Sequence, residues 1–442
     1  MLLDLNDDVL RQVCAQLFGR DAFNVSLASK RLHALAIPNV ASVFRTWDLR
    51  KLRQFHRYVL HGTQRRVQYL KCLILYCDIY RFALHVADED SDSHSRAADL
   101  QEAVDLTVDL LTNAHNLCRL SLDCLHLLME YDARVLPALA ALRYLRRVDF
   151  DTVSDPTVAW VGKTGWNLHT LSLDYDDPEV VNRPHIQNHR CTLPILLDTI
   201  AQFPYLHTLK VGSCRFSLSL SDIPNYDPPI FRSVRKLFLW NATPRALDLV
   251  NLFPNVSLVD FDYDPLYDQE EFQPSLGPRW PPIDSLILTS LDTVRCASQR
   301  LNTARHIQIG RDISVADPDG TDSRNIATLV DVLQKVSPVH AQLSVEVGTP
   351  PMRFWARVEA VAPRLRYLEL KVSLEDLKQE YASWLVCLST HRASHYQAHT
   401  KPYDRTISQT HYDPFPSCIC VCTYRNSRSY TLSGTRRQEI SC

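Results

Sequence analysis

Glycine is scarce in this 442-residue chain: ten residues, about 2%, against a usual ~7%. That scarcity argues against glycine-rich phosphate loops and dinucleotide folds, whose backbones must come close to phosphate. An excess of either charge is also missing. The formal net charge is −2, so the broad cationic footprint of a nucleic-acid-binding protein is not expected. No stretch reaches the ~18 uninterrupted apolar residues of a membrane span, and Met1-Leu2-Leu3-Asp4-Leu5 lacks the basic start and apolar run of a signal peptide. The thirteen cysteines are scattered and odd in number, unlike a disulfide framework. They read as reduced thiols packed as small hydrophobes, in a protein expected in the cytoplasm and/or nucleus with no membrane or nucleic-acid partner.

What the chain has is, first, a short helical module. Val9, Leu10, Val13, Cys14, Leu17 and Phe18 fall at helical spacing, with Asp7 and Asp8 suited to the positive helix N-terminus. Gly19-Arg20-Asp21 breaks this helix and Asp21 can cap a second one, carrying Ala22, Phe23, Ser26 and Leu27. Leu32, Leu35 and Ala36 mark a third, which Pro38 should end or kink. Three helices in about 40 residues bury too little surface to stand alone. The run Leu5-Asn6-Asp7-Asp8-Val9-Leu10, then Val13, Leu17, Asp21 and Ser26-Leu27-Ala28-Ser29-Lys30-Arg31-Leu32, resembles the F-box over roughly residues 3–45. Asn6 stands where that family usually has proline, and Arg31 where tryptophan is common. The resemblance implies docking on a Skp-type adaptor, and through it a cullin, by Leu5, Val9, Leu10, Val13, Leu17, Leu27 and Leu32. One sequence cannot divide those seven between internal packing and adaptor contact.

Second, residues 67–371 repeat the phrase apolar-x-x-apolar-x-apolar. Its middle apolar residue recurs at 73, 120, 148, 171, 209, 237, 259, 286, 307, 343 and 368. Seven of the ten intervals lie between 21 and 28 residues, the spacing of leucine-rich repeats. The copies include Leu70/Leu73/Leu75, Leu117/Leu120/Leu122 and Leu168/Leu171/Leu173, with a weaker one at His340/Leu343/Val345. Each copy predicts a short strand, with helical returns at 97–111, 192–203, 246–253, 326–336 and 351–362. Only Cys124 holds the position at which such repeats usually carry Asn or Cys. Polar insertions, such as residues 88–93, stretch the long intervals.

The expected fold class is therefore α/β: an N-terminal three-helix F-box-like module over 3–45, a basic helical linker over 46–66, a degenerate leucine-rich-repeat-like α/β solenoid over 67–388, and an irregular, disordered tail over 389–442. The linker reading rests on Arg50, Lys51, Arg53, Arg57, Arg65, Arg66 and Lys71, a run without an acidic residue. The tail reading rests on lost periodicity and a local charge of +4.

Catalytic motifs are weak throughout. Val161-Gly162-Lys163-Thr164 lacks the upstream glycine of a phosphate loop, since Thr157 occupies that position, and reads as a turn. His391, His395 and His399 followed by Cys418, Cys420 and Cys422 fit zinc spacing poorly. There is no G-x-S-x-G elbow. No catalytic residue, metal or cofactor is expected. The reading is a non-catalytic substrate-recognition subunit of a Skp–cullin–F-box type ubiquitin ligase; a leucine-rich-repeat scaffold without ligase function is the alternative. Because strand side chains alternate, the third, fifth and seventh positions of each repeat should face solvent. The seventh runs Tyr76, Asp123, Asp151, Asp174, Gly212, Trp240, Asp262, Thr289, Gly310, Glu346 and Lys371, and the third carries Arg119, Arg147 and Lys236. A charge-sorted sheet follows, with Asp123, Asp151, Asp174, Phe238, Trp240 and Asp262 as the surface for a substrate bearing a basic segment and an apolar anchor.

Overall fold

Asn6 opens the first helix, α1 (Asp7–Ala15): its side chain accepts from the Val9 amide at 2.9 Å, the N-cap arrangement that satisfies an otherwise unpaired helix-end donor. Helix α2 (Gly19–Ala28) follows, and Ser29 caps α3 (Lys30–Val40) by accepting from the Leu32 amide. Pro38 lies inside α3, which runs two residues beyond it. The computed structural model describes residues 5–17, 19–61, 66–76, 93–123, 125–175, 192–214, 226–263, 279–298, 300–313, 324–345, 357–358, 360–373, 396–400 and 419–425. Cys124 and residues 88–92, singled out in the sequence, lie outside these, as do His391, His395, His399 and Cys418.

The chain is α/β and divides into two units, Met1–Val234 and Arg235–Cys442. In the first unit, β1 (Val43–Thr46), β2 (Cys72–Leu75), β3 (Arg119–Leu122), β4 (Arg147–Phe150), β5 (Thr170–Asp174) and β6 (Thr208–Gly212) lie side by side in chain order, all parallel. The chain returns through α4 (Leu49–Leu60), α5 (Ser93–Asn113), α6 (Leu125–Tyr131) with α7 (Val135–Ala140), α8 (Asp155–Val161) and α9 (Leu193–Ala201). The middle apolar residues pair directly, Phe44 with Leu73, then Leu120, Val148, Leu171 and Leu209. Phe44 is half-buried; the other five are buried together with the helix faces behind them, such as Val104 and Leu111 of α5 and Leu197 and Ile200 of α9. Each fully covered Leu or Val of this kind is worth roughly 1.5–3 kcal/mol.

Hydrogen bonds repeat with the sequence. At the leading (N-terminal) end of the strands, the carbonyl at position 2 of one repeat accepts two successive amides of the next. Ser42 takes Lys71 and Cys72, Lys71 takes Cys118 and Arg119, Cys118 takes Arg146 and Arg147, Arg146 takes His169 and Thr170, and His169 takes His207 and Thr208. At the trailing end, Thr152 and Ser213 turn the chain with φ of 53° and 49°, where glycine is usual.

The segment read as a linker belongs to this repeating pattern. Ala41, Phe44 and Thr46 occupy its apolar positions, and α4 is the first return helix, burying Leu52, His56 and Val59. Its arginines line the other side, where Arg53 forks onto Glu102 of α5. The repeat hides in the sequence because Ala41 is small and Thr46 is polar.

Burial holds the His56 imidazole below its ordinary pKa. Asp109, 3.2 Å away, opposes this only in part, because that carboxylate is 60% exposed and screened by water. Burial, then the adjacent His340, lowers His306 in the same way, with Glu369 opposing. A folded state that disfavours the proton has its full stability above the unfolded value of about 6.5 and loses it as pH falls toward the folded pKa. The urea midpoint is therefore expected to drop between pH 7.5 and 5.5, and to drop less in His56→Gln. An equal drop in both proteins removes His56 as a contributor.

In the second unit β7 (Lys236–Trp240), β8 (Leu258–Phe261), β9 (Ile283–Leu288), β10 (Ala304–Ile313), β11 (His340–Val345) and β12 (Tyr367–Ser373) are again parallel and in chain order. Helices α10 (Leu291–Ala297) and α11 (Arg324–Val336) serve as returns. The return expected at 246–253 is a 3-10 helix, Pro244–Leu252, instead of an α-helix. The weak copy at His340/Leu343/Val345 is displaced by two residues: Ile307 pairs with Ala341, which in turn pairs with Leu368. Alanine in the middle position disguised this repeat, and Ser344 takes the seventh position assigned to Glu346. Within 389–442, expected to be irregular, the described residues form two strands, β13 (Tyr396–Thr400) and β14 (Ile419–Arg425), antiparallel to each other, with β14 beside β12. Among the described residues, Cys14, Cys72, Cys118, Cys214 and Cys296 are free thiols, and no helix is long and apolar enough to cross a membrane.

Candidate functional site

The apolar stripe of α1 splits into two ridges. Leu10 and Cys14, one helical turn apart, are buried at 0% and 1% exposure. Leu5, Val9 and Val13, at the same four-residue spacing, form an outward ridge with about two-fifths of each residue exposed. Helix α2 divides in the same way: Ala22 and Ser26 face inward, whereas Phe23 and Leu27 stay 49% and 67% exposed. Helix α3 packs against both and buries Leu32, Ala36 and Ile37. Of the seven residues assigned to adaptor contact, then, Leu10 and Leu32 are internal. Leu5, Val9, Val13 and Leu27 face outward, and Leu17 is half-buried. Phe23 joins the outward set. Its helical spacing is legible in the sequence, but its direction is not.

Polar side chains fix the three helices. Arg31 donates to Asp7 at 2.8 Å and to the Leu5 carbonyl at 2.8 Å, tying α3 to the start of α1. Asn39 donates to the Cys14 carbonyl at 2.6 Å and ties its other end. Asn6 thus caps a helix, and Arg31 clamps one.

The strand faces hold the residues assigned to substrate. Asp123, Asp151 and Asp174 follow one another at the trailing ends of β3, β4 and β5 in the first unit. Phe238 and Trp240 lie on β7, and Asp262 directly follows β8, in the second. All six are half-buried, not fully exposed as expected. Two of the four carboxylates also hold local hydrogen bonds: Asp151 accepts from the Thr152 amide at 3.0 Å, and Asp262 accepts from the Thr289 hydroxyl. Asp149, at a fifth position, pairs with both Arg147 at 2.8 Å and Arg119 at 3.6 Å. The basic third-position row of the first unit is partly neutralised by this pairing. Recognising the hidden first repeat adds Trp47 to the seventh-position column. Trp47 is 43% exposed and lies 6.4 Å from Tyr76, whose ring carries Arg45 at 4.9 Å. The first unit alone thus presents an aromatic pair just past the ends of β1 and β2, beside three aspartates.

No protein-family model matches the chain, and no curated protein matches it.

Proposed function

We propose that the chain is a non-catalytic substrate-recognition subunit of a Skp–cullin–F-box type ubiquitin ligase. Helices α1 to α3 dock a Skp-type adaptor, and a leucine-rich-repeat-like solenoid holds the substrate. One observation carries the reading. Of the twelve large apolar residues exposed among the described ones, five (Leu5, Val9, Val13, Phe23 and Leu27) fall in the first 27 positions, and a soluble protein concentrates apolar side chains outside where a partner covers them. Covering one half-exposed side chain of this size is worth about 1 kcal/mol. The solenoid part is supported by the recurring two-amide carbonyl and by direct pairing of the middle apolar residues.

The substrate surface proposed for the first unit is the seventh-position column, with Trp47 and Tyr76 as apolar anchor and Asp123, Asp151 and Asp174 for a basic segment. In the second unit Phe238, Trp240 and Asp262 offer the same combination. Ubiquitin transfer then gains from proximity alone, since holding two reactants together makes their encounter effectively intramolecular.

The test is size-exclusion chromatography of the purified full chain mixed with a Skp-type adaptor and a cullin. Co-elution in equal amounts is the expected result. Independent elution of the chain, with its helices intact by circular dichroism, leaves the scaffold without ligase function. A truncation used for the same purpose has to stop before Val43, because β1 belongs to the sheet.

A further inference from the structure

The leading ends of the first unit's strands carry a second regularity that the repeat phrase does not demand. Immediately before each first apolar position stand Tyr69, Asn116, Tyr144, Asn167 and Tyr205, so tyrosine and asparagine alternate over five successive repeats. Position 2 carries Lys71, Cys118, Arg146, His169 and His207. No aspartate or glutamate occurs in the five leading turns, 66–72, 114–119, 142–147, 166–170 and 204–208. Tyr144 and Tyr205 are 59% and 57% exposed, and Lys71, Arg143 and Arg146 lie at the surface. Among the described residues none of these three cations pairs with a carboxylate.

Local bonds order the row. Arg146 donates to the Asn167 carbonyl at 3.1 Å, which lays its guanidinium along the edge. Asn116 donates to the Gln68 carbonyl at 2.9 Å. The His169 and His207 rings stack at 5.5 Å. An open cleft of about 730 Å³ runs along the same edge, where Lys71, Cys118, Arg146 and Tyr144 meet Asn39 at the end of α3. None of its lining residues is acidic.

We propose that this leading edge binds an extended acidic peptide segment of a partner protein, its carboxylates toward Lys71, Arg143 and Arg146 and its backbone along the tyrosine and asparagine row. Charge complementarity and dimensions both favour that occupant. Five strands at ~4.8 Å spacing set the row at about 19 Å, the length of roughly six extended residues. The row is one side chain wide, whereas nucleic acid needs a broad cationic face, and the whole chain is at −2. This edge is distinct from the outward ridges of α1 and α2 and from the aspartate column, so the proposal does not rest on the adaptor reading.

The test is fluorescence anisotropy of the full chain with a fluorescein-labelled octaglutamate peptide at low salt. Octaglutamine and an eight-nucleotide single-stranded oligothymidylate serve as comparisons. Octaglutamate is expected to bind and octaglutamine is not. Lys71→Glu combined with Arg146→Glu should weaken octaglutamate binding about tenfold or more, whereas Arg50→Glu, in the first turn of α4, should change it less than about twofold. Lys71→Gln with Arg146→Gln, which adds no repulsion, should fall between the two. Absence of octaglutamate binding, binding unaltered in both double variants, or a preference for the oligonucleotide overturns the proposal.

Discussion

Leu27→Asp is expected to leave the protein folded while weakening the proposed binding to a Skp-type adaptor by about thirtyfold or more; Leu10→Asp is expected to lose both fold and binding. The two leucines sit on neighbouring helices and look equivalent in the sequence, but Leu27 is 67% exposed and Leu10 is 0% exposed. A carboxylate at position 27 stays in water, and such surface changes usually stay within about 0.5 kcal/mol. In a complex it would have to enter an apolar contact, and loss of a central anchor typically costs about 2 kcal/mol or more, which is near thirtyfold in Kd. At position 10 the charge has no exit, and burying it unpaired costs several kcal/mol in the free protein. Calorimetric titration with purified adaptor, next to a thermal melt of each variant, separates the outcomes. If Leu27→Asp and Val13→Asp both bind like the unaltered protein, the outward ridges are not the docking surface.

The largest stability effect is expected at Asp248. Arg300 is 2% exposed, and its guanidinium forms a charged hydrogen bond with Asp248 of the 3-10 helix Pro244–Leu252. The surroundings leave little room for water. Trp280, 1% exposed, donates its indole N–H to the Leu247 carbonyl at 3.2 Å and its amide to the Arg300 carbonyl at 2.9 Å. Asp248→Ala removes a carboxylate from a buried cation, a change that costs about 3–5 kcal/mol, against ~5–15 kcal/mol for a typical domain. Asp248→Leu with Arg300→Met removes both charges, and such replacements are often neutral or stabilising. Urea unfolding followed by tryptophan fluorescence should therefore show a large loss for the single variant and most of the stability back for the double one. Equal losses in the two would mean that packing around Arg300 matters, not its charge.

Much of the α/β architecture was legible because its signal is periodic. Leu117, Leu120 and Leu122 announce a strand by spacing alone, and the register aligns them with Leu73 and Val148 as the repeat implies. What escaped were repeats whose core side chains are small or polar. Thr46 and Ala41 hid β1 and turned its return helix into an apparent linker; Ala341 shifted β11 by two residues. The same limit applies to the candidate site. Val9 and Leu10 are adjacent in sequence and equally apolar, and only the position of α3 decides which of them is covered. The aspartate column was legible as a pattern. Its half-burial depends on the packing of neighbouring strands, and Asp149 pairs both with Arg147 on its own strand and with Arg119 on the strand beside it.

The double-acceptor carbonyl makes the two ends of each strand unequal in what they tolerate. At the leading end an inserted residue would break two hydrogen bonds at once, and the chain is short there: five residues separate Asn113 from Arg119, and six separate Ala201 from Thr208. At the trailing end 17 residues separate Leu75 from Ser93, and 18 separate Asp174 from Leu193. In the first unit the connections vary from 2 to 18 residues on this side and from 5 to 11 on the other, so most of the length variation falls on one margin. New recognition loops could be grafted after Leu75 or Asp174 to retarget the molecule while the tyrosine row keeps its spacing. Two ligands, one for each margin, could then be changed independently of each other.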